Sequence, residues 1–160
     1  MASDQPKVFE ALSHPDVVKY YGVSYTTLES SNAQMEFYND LLVNETGIWW
    51  GICYKDEPGE IIGACGFNNF DKQHKNIEIG YWLLPAKQGA GIMLECIPPI
   101  IQYAFDNMQV HRITAIVETG NERSERLLNK CGFQYEGALR DAELKNGRFI
   151  SLRYFALLND

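Results

Sequence analysis

Apolar residues in the first part of the chain recur at helical spacing. The run 8–12 predicts a short helix that stops before Pro15, because the residue preceding a proline is pushed away from helical angles. A second helical turn is expected at 16–20, and an amphipathic helix at 28–43. The apolar stripe of that third helix comprises Met35, Tyr38, Leu41 and Leu42.

From residue 48 the pattern changes to short apolar runs separated by polar turns. Three such runs cover 48–54, 61–67 and 76–84. Their short connections predict three antiparallel strands in sequence.

The second half alternates helical and strand-like patterns. We expect a helix to about Met108, a strand at 112–117, a helix at 121–131, a strand starting at 133–135 and a last strand at 149–157, paired to it through Asn146-Gly147. Pro98-Pro99 lies inside the first of these helices, so the helix either breaks or, as we expect, kinks there. The elements predict an α+β fold in one domain spanning residues 1–160.

Composition excludes several classes of protein. The chain has 160 residues, 46% of them apolar, and carries a net charge of −7. This acidity argues against nucleic-acid binding and gives a weak preference for cationic partners such as amines. No apolar run is long enough for a membrane span and no signal peptide is evident, so a cytoplasmic protein with four reduced cysteines is expected. The three histidines show no ligand spacing, so no metal is predicted.

Gly89-Ala90-Gly91 is the most informative motif because it joins a strand-like run to a helical one. Such a turn directs free backbone N–H groups and the positive end of a helix dipole at one point, which suits a phosphate or pyrophosphate. The Lys and Ser/Thr of a nucleoside-triphosphate loop are missing, as is the third glycine of a dinucleotide fingerprint. The predicted ligands are the N–H groups of residues 89–93 (Gly89, Ala90, Gly91, Ile92 and Met93), with Gln88 at the mouth of the turn.

The order of motifs along roughly residues 8–158 resembles the GNAT superfamily of acyl-CoA-dependent N-acetyltransferases, most closely its RimJ and RimL branch. The segments that carry the resemblance are Ile79-Gly80-Tyr81-Trp82-Leu83, Gly89-Ala90-Gly91-Ile92-Met93, Tyr103-Ala104-Phe105, His111-Arg112-Ile113, Asn121-Glu122-Arg123-Ser124, Lys130-Cys131-Gly132-Phe133 and Glu136-Gly137. The resemblance implies a mixed, mostly antiparallel sheet flanked by helices. It places the coenzyme A pyrophosphate on the glycine turn, and the pantetheine arm between two splayed strands, one ending at Leu83-Leu84 and the other at 112–117.

The resemblance also implies acetyl-CoA as co-substrate and a primary amine as acceptor. That amine is expected to be a protein N-terminus, with a ribosomal protein as one candidate. A homodimer is implied by analogy alone. A polyamine or aminoglycoside acceptor, or a non-catalytic acyl-CoA-binding module, are the alternatives left open.

Three departures from the family pattern stand out. Ala86 replaces a frequent Gln or Arg, and Leu128 stands where many members carry a tyrosine general acid. Relatives usually begin with a strand bearing an arginine, and this chain starts too late to contain it. A shortened start is therefore expected.

Glu78 is the candidate general base. Strand alternation places it with Gly80 and Trp82 on one face, where the glycine leaves space and the tryptophan excludes water. RimL-type enzymes place a proposed base at the matching position. The alternative is a surface glutamate paired with a Lys or Arg.

Asn121 and Ser124 are the candidates on the helix that follows. Asn121 suits the helix N-cap, and the resemblance adds a hydrogen bond to the pantetheine arm. Ser124 shares a helical stripe with Leu127, Leu128 and Cys131, so its hydroxyl faces inward. The resemblance implies that it donates to the thiolate sulfur. The alternative is a bond back to its own helix carbonyl.

Four aromatic residues could line an acceptor pocket or serve as ordinary core and surface residues: Tyr20, Tyr21, Trp49 and Trp50.

Overall fold

Six strands form one sheet, and five helices cover its two faces, in residues 2–159, which the computed structural model describes. The helices are α1 (Gln5–Ser13), α2 (Pro15–Val18), α3 (Asn32–Val43), α4 (Ile92–Asp106) and α5 (Glu122–Lys130). The strands are β1 (Ile48–Cys53), β2 (Ile61–Asp71), β3 (Asn76–Leu83), β4 (Arg112–Glu118), β5 (Gln134–Lys145) and β6 (Arg148–Leu158). Short 3₁₀ turns occupy Ala2–Asp4 and Pro85–Lys87.

The strand order β1-β2-β3-β4-β6-β5 confirms the α+β fold with a mostly antiparallel sheet. The expected antiparallel run β1-β2-β3 is present, and only β3 and β4 are parallel. The β5–β6 hairpin turns at Asn146 and Gly147, which both have positive φ angles of 50° and 77°. Two successive positive φ values are what a two-residue hairpin turn of type I′ requires.

The β3–β4 contact is short, and this creates the main opening in the sheet. Only three residue pairs join the strands, from Asn76–Arg112 to Glu78–Thr114. Beyond Glu78, β3 stays paired with β2 as far as Leu83, while β4 stays paired with β6 as far as Glu118. The two strands therefore separate, which confirms the expected splayed pair.

Two apolar clusters lie on opposite faces of the sheet. Ile77, Ile79 and Leu83 pack on one face with α4 and α5. Trp82 and Leu84 pack on the other face against the N-terminal helices. Alternate residues of β3 thus support different layers, as the period of a strand dictates.

Helix α3 buries the predicted stripe except at one residue. Leu42 is 54% exposed, so its assignment to the buried face is wrong. The predicted residues Met35, Tyr38 and Leu41 do pack inward, and Gln34 is buried beside them. Gln34 is tolerated in this buried position because its Oε1 accepts a hydrogen bond from the Tyr25 hydroxyl at 3.0 Å.

Helix α4 runs through Pro98 and Pro99 without a break. Each proline removes the amide that would bond to a carbonyl one turn earlier, at Leu94 and Glu95. Both prolines and both of those residues are exposed, so water can satisfy the freed carbonyl groups. No helix among the described residues is long and apolar enough to cross a bilayer.

Candidate functional site

A cleft of about 960 Å³ opens where β3 and β4 separate. Its central walls are residues 79–83 of β3 and 115–118 of β4. The glycine turn and α5 lie along one end of the cleft, which we name the cofactor end. Glu78, the N-terminal aromatic residues and the tip of the β5–β6 hairpin surround the other end, which we name the acceptor end.

The glycine turn has the backbone conformation that only glycine adopts readily. Gly89 and Gly91 have φ angles of 84° and 79°, and Gly91 is the N-cap of α4. A Cβ at either position would meet nothing within 4 Å, so the turn offers an open approach to the backbone. The first intrahelical bond runs from Glu95 N to Gly91 O, at 3.1 Å. The preceding N–H groups, including those of Ile92 and Met93, are therefore available to an anion.

Three cations lie along the same end of the cleft on α5, at Arg123, Arg126 and Lys130. Their spacing of three and four residues puts them on one stripe of the helix. Arg123 also donates to Gln88 Oε1 at 2.8 Å, which ties the helix to the mouth of the glycine turn. This stripe was not among the residues predicted from the sequence, although its spacing after the N-cap is a recognisable signal.

Asn121 and Ser124 occupy the first turn of α5. Asn121 Oδ1 accepts from the Ser124 N–H at 3.3 Å, which confirms the N-cap. Ser124 Oγ lies 2.6 Å from Tyr81 Oη of β3, and both residues line the cleft. Burial raises the pKa of Tyr81 to about 12, against a smaller lowering by the Ser124 hydrogen bond. Leu128 is fully buried in the core below them.

Glu78 lies at the last residue pair before the strands separate. Its Oε2 accepts a hydrogen bond from Asn69 Nδ2 at 3.0 Å, and Asn69 itself holds a left-handed φ of 56°. No cation pairs with this carboxylate within residues 2–159, so the alternative of a surface ion pair does not describe it. Its half-buried side chain lines the cleft.

The floor next to Glu78 is built from two opposed glycines and a tryptophan. Gly66 and Gly80 are partners across β2 and β3, and the Trp49 side chain covers both. A Cβ on Gly80 would lie 2.7 Å from Trp49 Cζ2, so only glycine leaves room for the indole. Trp50 points to the opposite face, where its ring packs against Phe67 and Tyr103. Trp49 therefore lines the cleft and Trp50 does not.

The outer wall of the acceptor end depends on contacts between distant segments. Lys145 Nζ, near the hairpin tip, lies 2.7 Å from Glu118 Oε2 and 2.6 Å from the Lys19 carbonyl oxygen. Tyr20 and Tyr21 line the cleft beside this contact. Four carboxylates line this end, at Asp16, Glu78, Glu118 and Glu143.

A family profile described as Acetyltransferase (GNAT) domain matches residues 1–134. The chain belongs to the GNAT acetyltransferase family. It is accordingly an acetyl-CoA-dependent N-acetyltransferase, and the reading as a non-catalytic module is not supported.

Two relatives of the chain are also N-acetyltransferases by name. An uncharacterised N-acetyltransferase of Bacillus licheniformis, p20, is 37% identical over 147 residues, which cover 91% of this GNAT chain and 82% of the relative. The [ribosomal protein uS5]-alanine N-acetyltransferase of Escherichia coli (strain K12) is 30% identical over 118 residues, 73% of this chain and 60% of that protein.

Solved structures of two GNAT enzymes share the fold. RimL, a ribosomal L7/L12 alpha-N-protein acetyltransferase, superposes with a TM-score of 0.88 at 20% identity, covering 99% of this chain and 87% of RimL. Spermidine N-acetyltransferase from Vibrio cholerae, with CoA and spermine, gives a TM-score of 0.86 at 20% identity, covering 99% and 91%. At these identities the likeness concerns the fold alone.

The structure brings most of the predicted GNAT site residues to one cleft. The residues that line it are Glu78, Leu83, Gln88, Gly89, Gly91, Ile92, Met93, Asn121 and Ser124. Leu84 packs instead among the N-terminal helices, and Ala90 is exposed outside the lining. Within residues 2–159 no group of three or more His, Cys, Asp or Glu is arranged to hold a metal ion.

Proposed function

We propose that this enzyme acetylates the terminal α-amino group of a peptide or protein by direct attack on acetyl-CoA. Glu78 acts as the general base, and Ser124 donates a hydrogen bond to the departing sulfur. The observation that carries the proposal is the single cleft that joins the glycine turn at one end to Glu78 at the other.

The residues of the cofactor end fit coenzyme A. The open glycine turn and the free N–H groups of α4 suit the pyrophosphate, and the cationic stripe of α5 adds favourable charge for the phosphates. The separated strands leave backbone N–H and C=O groups of β3 and β4 unpaired along the cleft, and these suit an amide-containing arm.

Acetyl-CoA supplies a thioester whose C–S bond breaks as the amine nitrogen forms the new C–N bond, with the electron pair going to sulfur. Glu78 takes the proton that the amine must lose. Asn69 fixes one of its carboxylate oxygens, and the other has no hydrogen-bond donor within residues 2–159. That free oxygen is the proton acceptor in this assignment.

Two arguments favour a terminal α-amino group. Its pKa is about 8, against about 10.4 for a lysine-type amine, so a carboxylate base deprotonates it more easily. A relative of 30% identity is named for acetylation of an alanine of ribosomal protein uS5. A protein N-terminus of that kind is the acceptor we infer.

A polyamine is the second candidate. Three of the carboxylates around the acceptor end, all but the Lys145-paired Glu118, can attract a polycation, and a spermidine N-acetyltransferase shares the fold. Because the fold alone does not fix the acceptor, direct competition between the two classes must decide.

The test measures free thiol released from acetyl-CoA with matched acceptors. The panel contains peptides beginning with Ala or Ser, the same peptides with a blocked N-terminus and one lysine, and spermidine. We expect the free N-terminal peptides to give kcat/KM at least about tenfold above spermidine, in line with the difference in amine pKa. Higher kcat/KM with spermidine would transfer the proposal to polyamines. A burst of thiol stoichiometric with enzyme, before any acceptor is added, would contradict direct attack.

A further inference from the structure

We propose that Tyr81 is a positioning residue: it donates a hydrogen bond to Ser124 Oγ and so directs the hydrogen of the Ser124 hydroxyl into the cleft. The observation is the 2.6 Å separation of Tyr81 Oη and Ser124 Oγ, which joins β3 to α5 across the opening. The inference rests on the proposed function, since it concerns the donor role of Ser124.

Tyr81 is the donor in this pair. A phenol is more acidic than an aliphatic alcohol, so its O–H is the stronger donor and the serine oxygen is the better acceptor. Ser124 Oγ makes no hydrogen bond to a carbonyl of its own helix in the part of the chain that the structure describes. The serine hydrogen therefore has no other acceptor among residues 2–159 and is free to turn toward the cleft.

The surroundings keep this direction fixed. Tyr81 packs against the apolar cluster beneath the cleft, and its raised pKa keeps the phenol protonated across the working range of an enzyme. Tyr81 thus remains a donor while Ser124 faces a developing negative charge. No proton is transferred from Tyr81 to Ser124 or from Ser124 to the sulfur. Tyr81 polarises the Ser124 hydroxyl, which donates a hydrogen bond to the sulfur and keeps its hydrogen.

This arrangement differs from direct catalysis by a tyrosine. The Tyr81 hydroxyl acts through Ser124, so its removal matters only while the serine is present. A double-mutant cycle of Tyr81→Phe and Ser124→Ala separates the two cases.

The first experiment measures binding rather than turnover. Calorimetry compares coenzyme A with desulfo-coenzyme A, which lacks the sulfur, as the pH rises and the thiol ionises. In the natural enzyme the preference for coenzyme A should increase with pH because the hydrogen bond favours the thiolate. In Tyr81→Phe that gain should fall about fivefold, while desulfo-coenzyme A binding stays unchanged.

The second experiment measures kcat and the KM for acetyl-CoA. We expect Tyr81→Phe to lower kcat about fivefold at constant KM, and to have no further effect in Ser124→Ala. Tyr103→Phe is the matched control, because that tyrosine packs against Trp50 away from the cleft. Thermal unfolding of each variant separates lost stability from lost positioning.

Three outcomes overturn the inference: a silent Tyr81→Phe, an effect of Tyr81→Phe that persists without Ser124, or an equal loss of affinity for desulfo-coenzyme A. If Ser124→Ala slows thiol release and Tyr81→Phe does not, only this inference fails. If the natural enzyme releases no thiol with any amine, the proposed function fails, and the binding comparison still decides the role of Tyr81.

Discussion

The two ends of the cleft are built in different ways. The cofactor end comes mainly from two short stretches of chain, 88–94 and 121–130, and its distinctive feature is backbone geometry at Gly89 and Gly91. The acceptor end combines side chains from α2, β1, β3 and the β5–β6 hairpin. One contact there, between Lys145 and Lys19, joins residues 126 positions apart.

Because the two ends are built differently, one fold can keep its acyl donor while its acceptor changes. Backbone N–H groups at a glycine turn depend little on neighbouring side chains, so they suit a constant ligand. The acceptor end depends on side chains from several separate segments. Substitutions at each end should therefore affect different kinetic constants.

The largest expected effect is at the acceptor end, from Glu78→Gln. The amide cannot take the amine proton, so kcat should fall about a hundredfold or more. The dissociation constant of coenzyme A should not change, because Glu78 lies at the other end of the cleft. Steady-state kinetics and calorimetry measure the two quantities.

Glu36→Gln is the matched control for this substitution, since Glu36 is an exposed residue of α3 outside the cleft. An unchanged kcat in Glu78→Gln across the pH range of the assay would remove Glu78 from the mechanism.

A smaller effect is expected at the cofactor end, from Gly91→Ala. The Cβ has room, but the φ of 79° is strained for alanine by about 1 kcal/mol, so the turn should relax away from its anion-binding shape. We expect the dissociation constant of coenzyme A to rise about tenfold, with the acceptor KM unchanged. Gly59→Ala is the control, because Gly59 has equal space and no positive φ. Equal coenzyme A affinities in the two variants would contradict the prediction.

The smallest effect is expected from Lys145→Met, which loosens the outer wall of the acceptor end. The variant leaves Glu118, with only 16% of its side chain exposed, without its cation. We expect the acceptor KM to rise about threefold and the free energy of unfolding to fall by about 1 kcal/mol. Adding Glu118→Gln should restore most of that stability. Lys72→Met, which breaks an exposed pair with Glu45, is the control. A change in coenzyme A affinity instead would show that the two ends are not independent.

Much of the fold could be predicted because apolar periodicity reports burial directly. Strands β1 to β4 and helices α4 and α5 follow that rule, and their cores match the pattern. The sequence predicted only the start of strand β5, which extends to Lys145. Its length could not be predicted because nearly all of the strand is exposed and shows no apolar alternation. The burial of Leu42 was predicted wrongly because an apolar residue need not be buried.

The candidate site was predictable where geometry is local. The glycine turn, the N-cap Asn121 and the inward stripe of Ser124 follow from spacing within single elements. The Tyr81–Ser124 bond joins residues 43 positions apart. The Lys145–Glu118 pair joins residues 27 positions apart. Such contacts depend on how strands pair and helices dock, which no local pattern encodes.

The tryptophan that lies across Gly66 and Gly80 restricts how acceptor preference can be redesigned. Any larger residue at either glycine collides with the indole or the neighbouring strand, so the floor tolerates no single replacement. Variant libraries designed for new amine acceptors should keep Trp49, Gly66 and Gly80 and vary the residues of α2 and of the β5–β6 hairpin that line the acceptor end.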